Sequence, residues 1–147
     1  MSPVFLRFAF LVALAFAAAT SSTRAGATPL PEAEETAVRQ VIVAQLQAFA
    51  EDDADSAFAT ATPDVREAIG NPGRFLAMVR GAYPMVYRPA AVAFFKPQED
   101  SGTVLQMVQI TDDDDKSWIA LFALERQPDD TWRISGCIVA ENPWRSA

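Results

Sequence analysis

The 147-residue sequence predicts an α+β domain, with N-terminal helices packed on a curved antiparallel four-stranded meander. Three observations carry that expectation. In the first half apolar residues recur at helical spacing, as in Val38, Val41, Ile42, Leu46 and Phe49, whereas after Tyr83-Pro84 they recur at strand spacing. The strand-like runs are separated by short hairpin chemistry, which makes sequential strands antiparallel neighbours and leaves the helices to one face. Finally, Ser-Trp-Ile-Ala-Leu-Phe-Ala-Leu-Glu-Arg at 117–126 is apolar on both alternating faces from Trp118 to Leu124. That pattern marks a central strand with both faces covered. Helices supply one cover; an empty cone, a ligand or a second subunit would supply the other.

Taken in order, residues 1–27 have the three parts of a secretory signal: Arg7 closing a short basic stretch, an uncharged apolar run at 8–19, and Ala25-Gly26-Ala27 as small residues for a peptidase. The run is shorter than the roughly 20 apolar residues of a spanning helix. Cleavage after Ala27 is expected, giving a periplasmic or secreted protein with no membrane segment. Residues 28–140 then form one domain and 141–147 a loose tail. Pro31 suits a first helical turn, with Glu32, Glu34 and Glu35 at the positive end of the dipole. The helix they open is about five turns long and stops at the acids of 51–53. A short helix is expected at 54–60. Thr62-Pro63 starts another through Ile69, ended by Gly70, and Asn71-Pro72 starts a fourth, with Gly81 as its C-cap. Strands are expected at 87–96, 103–111, 117–126 and 131–140, with turns at 97–102, 112–116 and 128–130.

Charge and composition narrow the function. Without residues 1–27 the chain keeps all 19 acids against 10 basic residues, since Arg7 and Arg24 are lost from the 12, a net charge of −9. Such a surface repels nucleic acid and anionic lipid. Cys137 is the one cysteine, so no intrachain disulfide forms and the thiol reads as a small buried strand residue. Histidine is absent, which removes the usual general base and transition-metal ligand together.

Helices followed by a curved meander, ending in Asp130-Thr131-Trp132-Arg133-Ile134, resemble the NTF2-like (cystatin-like, SnoaL-like) cone superfamily. More narrowly, Phe75-Leu76-Ala77-Met78-Val79-Arg80, Tyr83-Pro84, Val86-Tyr87-Arg88-Pro89, Trp118-Ile119-Ala120-Leu121 and Trp132-Arg133-Ile134-Ser135-Gly136-Cys137 resemble a small bacterial family known only as a domain of unknown function. The resemblance spans residues 35–139. It implies a conical fold with an internal cavity and frequent dimers across the sheet, and it implies no reaction, because the cone hosts isomerases, dehydratases, hydrolases and non-catalytic binders alike. Cone enzymes commonly place an aspartate or histidine inside; here no acid lies within an apolar strand run, so no catalytic position carries over.

Between Ala68 and Gln98 there is no acid, while Arg74, Arg80, Arg88 and Lys96 are present with Tyr83 and Tyr87 among them. Arg80, Tyr83, Tyr87 and Arg88 converging on a cavity mouth would suit a carboxylate or other small anion. Equally, these arginines could pair with acids of 51–55 and tie helix to sheet. Gln106 and Gln109 sit on opposite faces of an apolar strand, so at least one amide needs a buried partner. Trp118 belongs with Phe94, Phe95, Phe122 and Trp132 to the expected core and, incidentally, to a ligand wall. The run Asp112-Asp113-Asp114-Asp115 lacks the alternating spacing of a calcium loop, and no metal or other cofactor is expected. With Lys116 it reproduces the enteropeptidase recognition sequence.

The leading expectation is therefore an exported, non-catalytic module that holds a small apolar or anionic ligand in an internal cavity, or pairs with itself or another protein across the sheet. One alternative is a cofactor-independent lyase, isomerase or hydrolase for a hydrophobic or anionic substrate, with Tyr83 or Tyr87 as acid and a helix carboxylate as base. Another is a dimerising structural protein with a flat apolar sheet face. A tyrosine–carboxylate pair inside a closed cavity would favour the enzyme, and a cone filled by side chains the module.

Overall fold

A computed structural model describes residues 28–144. The expected leader, 1–27, lies outside them. A two-residue strand, β1 (Thr28–Pro29), precedes the long helix α1 (Glu32–Ala50), whose acids crowd the first turn and whose Val38, Ile42, Gln45, Leu46 and Phe49 are buried. The chain then reverses through Asp52 at φ 55°. Three short helices follow, each opened by a side-chain cap that occupies an otherwise orphaned backbone N–H. Asp53 caps α2 (Ala54–Ala59), Thr62 caps α3 (Pro63–Ile69), and Asn71 caps α4 (Pro72–Ala82), accepting from Ser56, Val65 and Arg74 respectively. Among the described residues no helix is long and apolar enough to cross a membrane.

The α4 boundary differs from expectation. Gly81 lies inside the last turn, and Tyr83 ends the helix by donating its N–H to Val79 O at 2.8 Å. Pro84, with φ preset for a first turn, restarts the chain as a one-turn helix, α5 (Pro84–Tyr87). The strand expected from residue 87 is correspondingly shorter: β2 is Ala91–Phe94. The expected loop at 97–102 itself contains a strand, β3 (Gln98–Asp100). It turns into β4 (Thr103–Thr111) through Ser101 and Gly102, at φ 53° and 83°. Two consecutive positive φ values are the tight hairpin geometry that matches strand twist.

The sheet is completed by β5 (Ser117–Arg126) and β6 (Trp132–Glu141). Its order is β1-β3-β4-β5-β6, with β2 also on β4, and every ladder is antiparallel. The four-strand meander thus gains β1 and splits its first strand in two. The split has a local cause. Buried Pro97 has no N–H to give the ladder, so pairing lapses between β2 and β3. Gln106, opposite the gap, donates its amide to Phe95 O at 2.6 Å and to Met107 O at 2.8 Å.

One sheet face packs against the helices. Val104, Val108, Ile110, Ala120, Phe122 and Leu124 are fully buried there beneath Val38, Ile42 and Phe49, and Phe75 bridges Phe49 and Phe58 at ring distances of 5.4 and 5.9 Å. The expectation of two covered faces holds on this side. On the other, Ile119, Leu121 and Ala123 of β5 are only half-buried.

Candidate functional site

Beneath the middle of the sheet the interior is packed, whereas an open groove of about 480 Å³ lies between α1 and the start of β6, lined by Val41, Ala44, Thr60, Trp132 and Arg133. Gln45, Phe49, Val79, Tyr83, Val86, Cys137 and Val139 enclose about 30 Å³. That is room for one water, far below the several hundred Å³ of a small-molecule pocket. Phe49 and Phe122 fill space that a ligand would need. Cys137 has its backbone on the edge strand, but its thiol faces this gap, and burial pushes it up to about 12. A thiol held protonated is not a nucleophile.

The seven residues singled out in the sequence do not converge. Tyr87 and Arg88 meet: Tyr87 Oη donates to Asp52 Oδ1, Arg88 Nη2 lies 3.2 Å from Asp52 Oδ2, and the guanidinium stacks 4.9 Å from the Tyr87 ring centroid. This is the pairing with the acids of 51–55, and it pins α5 to the α1–α2 turn. A tyrosine–carboxylate pair is present, but Asp52 and Arg88 are half-exposed and no closed cavity surrounds them. Arg80 is exposed on α4, and Tyr83 is buried against the small gap. Gln106 closes the β2–β3 break. Gln109, on the opposite face, donates to Ser117 Oγ at 3.2 Å.

Trp118 stands at the rim. Its indole N–H donates to Asp112 Oδ2 at 2.9 Å, and Lys116 Nζ lies 4.8 Å from the ring centroid. Asp112 Oδ1 accepts from the N–H groups of Asp114 and Lys116, both at 2.9 Å. The Trp118 bond first, then that from the Lys116 N–H, holds the Asp112 carboxyl below its ordinary value. Asp112 therefore braces its own hairpin, and no group of described residues could hold a metal ion.

A flat apolar sheet face was one sequence expectation, but the residues that make it were not singled out there. Antiparallel register sets its side chains in cross-strand rows. Phe95, Met107, Leu121 and Ile138 make the middle row, since Met107 pairs Leu121, Leu121 pairs Ile138, and Phe95 N–H donates to Met107 O. Leu105, Ala123 and Gly136 lie on one side of it; Ala93, Gln109, Ile119 and Ala140 lie on the other. None of these is charged. Phe95, Met107 and Ile138 are 45%, 42% and 57% exposed. Charge returns only at the end row, Glu125 opposite Arg133. Beside the middle row Phe95, Met107, Gln109, Thr111, Ile119 and Trp144 bound an open groove of about 800 Å³. A signal existed in Leu105 and Met107 of β4 and in Ile119, Leu121 and Ala123 of β5, apolar residues at alternate positions with no helix to meet them.

Comparison with known proteins fits this geometry. A family described as a domain of unknown function, DUF4864, matches residues 31–147. The chain belongs to the DUF4864 family. Among solved structures, this DUF4864 chain is similar to a protein of unknown function with a cystatin-like fold from Nostoc punctiforme, with a TM-score of 0.50 and 11% identity over 80% of this chain and 97% of that one. It is also similar to an NTF-2-like protein of unknown function from Burkholderia xenovorans, with a TM-score of 0.48 and 16% identity over 77% and 89%. The fold is thus cystatin-like, a sheet wrapped on one side by N-terminal helices. No curated protein matches the chain.

Proposed function

We propose that this DUF4864 protein is an exported, non-catalytic interaction module that pairs with a second copy of itself through the open face of its sheet. The observation that carries the reading is the charge-free band of three rows centred on Met107 and Leu121, in a chain whose net charge is −7. An uncharged face that leaves Phe95, Met107 and Ile138 exposed and meets charge at the Glu125–Arg133 end is the kind of patch that protein contacts use. The filled interior supports contact over ligand capture, and the residues 1–27 support export. A twin copy suits the band better than a basic or acidic partner, because the band offers no charge to complement.

The test is sedimentation velocity and native mass spectrometry on protein isolated from the compartment it reaches. The wild type is expected as a dimer at micromolar concentration beginning at Thr28, and Leu121→Glu as a folded monomer, because a charge centred in the band must be desolvated on pairing. A wild type that stays monomeric at tens of micromolar, or a Leu121→Glu variant that still dimerises, sinks the reading. Retention of a stoichiometric small molecule by a monomer would replace it with the ligand module.

A further inference from the structure

The geometry points to Trp144 as the anchor of that contact, an inference that rests on the dimer reading above. Trp144 is 88% exposed and forms one wall of the groove on the open face. Its backbone is not left to wander. Asn142 continues the β6 pairing by donating its N–H to Ser117 O at 2.9 Å, its side-chain amide donates to Ser117 Oγ at 3.1 Å, and its Oδ1 accepts the Trp144 N–H at 3.1 Å. Ser117 Oγ also receives Gln109 from the neighbouring strand. What sequence spacing suggests is a loose tail is, as far as Trp144, a pinned turn that presents an indole beside Met107 and Ile119.

Area makes the case for the indole. Three rows across four strands project to about 400 Å² from strand and residue spacings, about half of the roughly 800 Å² per partner that a stable interface buries. An indole adds up to about 200 Å², a large single apolar addition next to the band. Because the turn fixes its backbone before association, only the ordering of the indole rotamer remains to be met on binding. Pairing of two such faces places each Trp144 at the flank of the partner sheet, over the end of the groove, where a tryptophan in a desolvated pocket dominates binding energy.

The test compares wild type, Trp144→Ala and Trp144→Phe by sedimentation over a dilution series, with thermal unfolding as a control for folding. Trp144→Ala is expected to raise the dimer Kd by at least about thirtyfold, the threshold for a dominant contact, with an unfolding midpoint close to wild type because the side chain is outside the core. Trp144→Phe is expected to retain most of the affinity. Tryptophan emission of wild type should shift to the red on dilution through the Kd, and the Trp144→Phe variant should lack that shift. A dimeric wild type whose Kd is unchanged in Trp144→Ala overturns the anchor while leaving the sheet contact standing. A wild type that never dimerises, or a Leu121→Glu variant that still does, overturns the sheet contact and the anchor with it.

Discussion

A single amide decides how the first strand of the sheet breaks. Gln106 is fully buried, its nitrogen bridges Phe95 O and Met107 O, and its oxygen is buried without a hydrogen-bond partner among the described residues. The side chain therefore works as a donor, supplying hydrogen bonds to two carbonyls at the break. Gln106→Leu keeps the volume but leaves the Phe95 carbonyl without that partner, which costs about 1–3 kcal/mol for a buried polar group. Urea unfolding should report that loss with an unchanged denaturant slope. A loss below about 0.5 kcal/mol would mean that water reaches the break. The same residue scale explains why the predicted anion site does not assemble: Tyr87 and Arg88 are held by Asp52, a position that spacing along the chain could suggest only as one acid among several in 51–55.

Among the elements, the β4–β5 hairpin is the most fully braced. Asp112 N–H donates to Lys116 O at 2.9 Å, the Asp112 carboxylate accepts three hydrogen bonds, and Lys116 Nζ lies 3.4 Å from Glu141. Residues 112–116 spell a protease recognition sequence, but proteases bind substrate in extended form and this turn is closed. Cleavage of the native protein by enteropeptidase after Lys116 should run roughly a hundredfold slower than cleavage of a free peptide with the same residues, tracking local opening. Equal rates would show that the hairpin opens freely. The core elements are more demanding: Phe122→Ala on β5 removes a ring with no exposure and should cost about 3–5 kcal/mol, read from chemical denaturation. A small loss would show that the helices collapse into the space, contrary to a tightly filled interior.

For the molecule as a whole, titration follows from composition and burial. With no histidine, stability should be nearly flat from pH 5 to pH 8. Asp53, Asp112 and Asp129 are held below their ordinary 3.8 by hydrogen bonds from Ser56, from Trp118 and Lys116, and from Thr131. A carboxylate with a lowered folded value contributes stability above its unfolded value and loses it as pH falls through the folded one, so the acid decline should begin near pH 4 and steepen below it. Cys137 works in the opposite direction. Its thiol is raised from 9.0 to about 12, so the unfolded chain releases the proton first and stability falls as pH rises above 9. Thermal melts of wild type and Cys137→Ala between pH 8 and pH 10 should diverge in that direction. Parallel curves would mean that the thiol is already open to water.

Much of the fold was legible along the chain. The starts of α3 and α4 were written as side-chain caps before proline, strands as alternating apolar residues, and the β5 pairing position as an apolar run, because each depends on neighbours a few residues away. The β2–β3 break was not legible, since it needs Pro97 to meet Gln106 across a ladder. Nor was the fate of the suspected cavity, which Phe49 and Phe122 fill from opposite layers. By itself the sequence determined the α+β class, the Thr62 and Asn71 caps and the absence of histidine chemistry. Only the tertiary structure decided that Phe49 and Phe122 fill the middle of the interior and that one sheet face lies bare, because volume and exposure are set by which distant side chains meet.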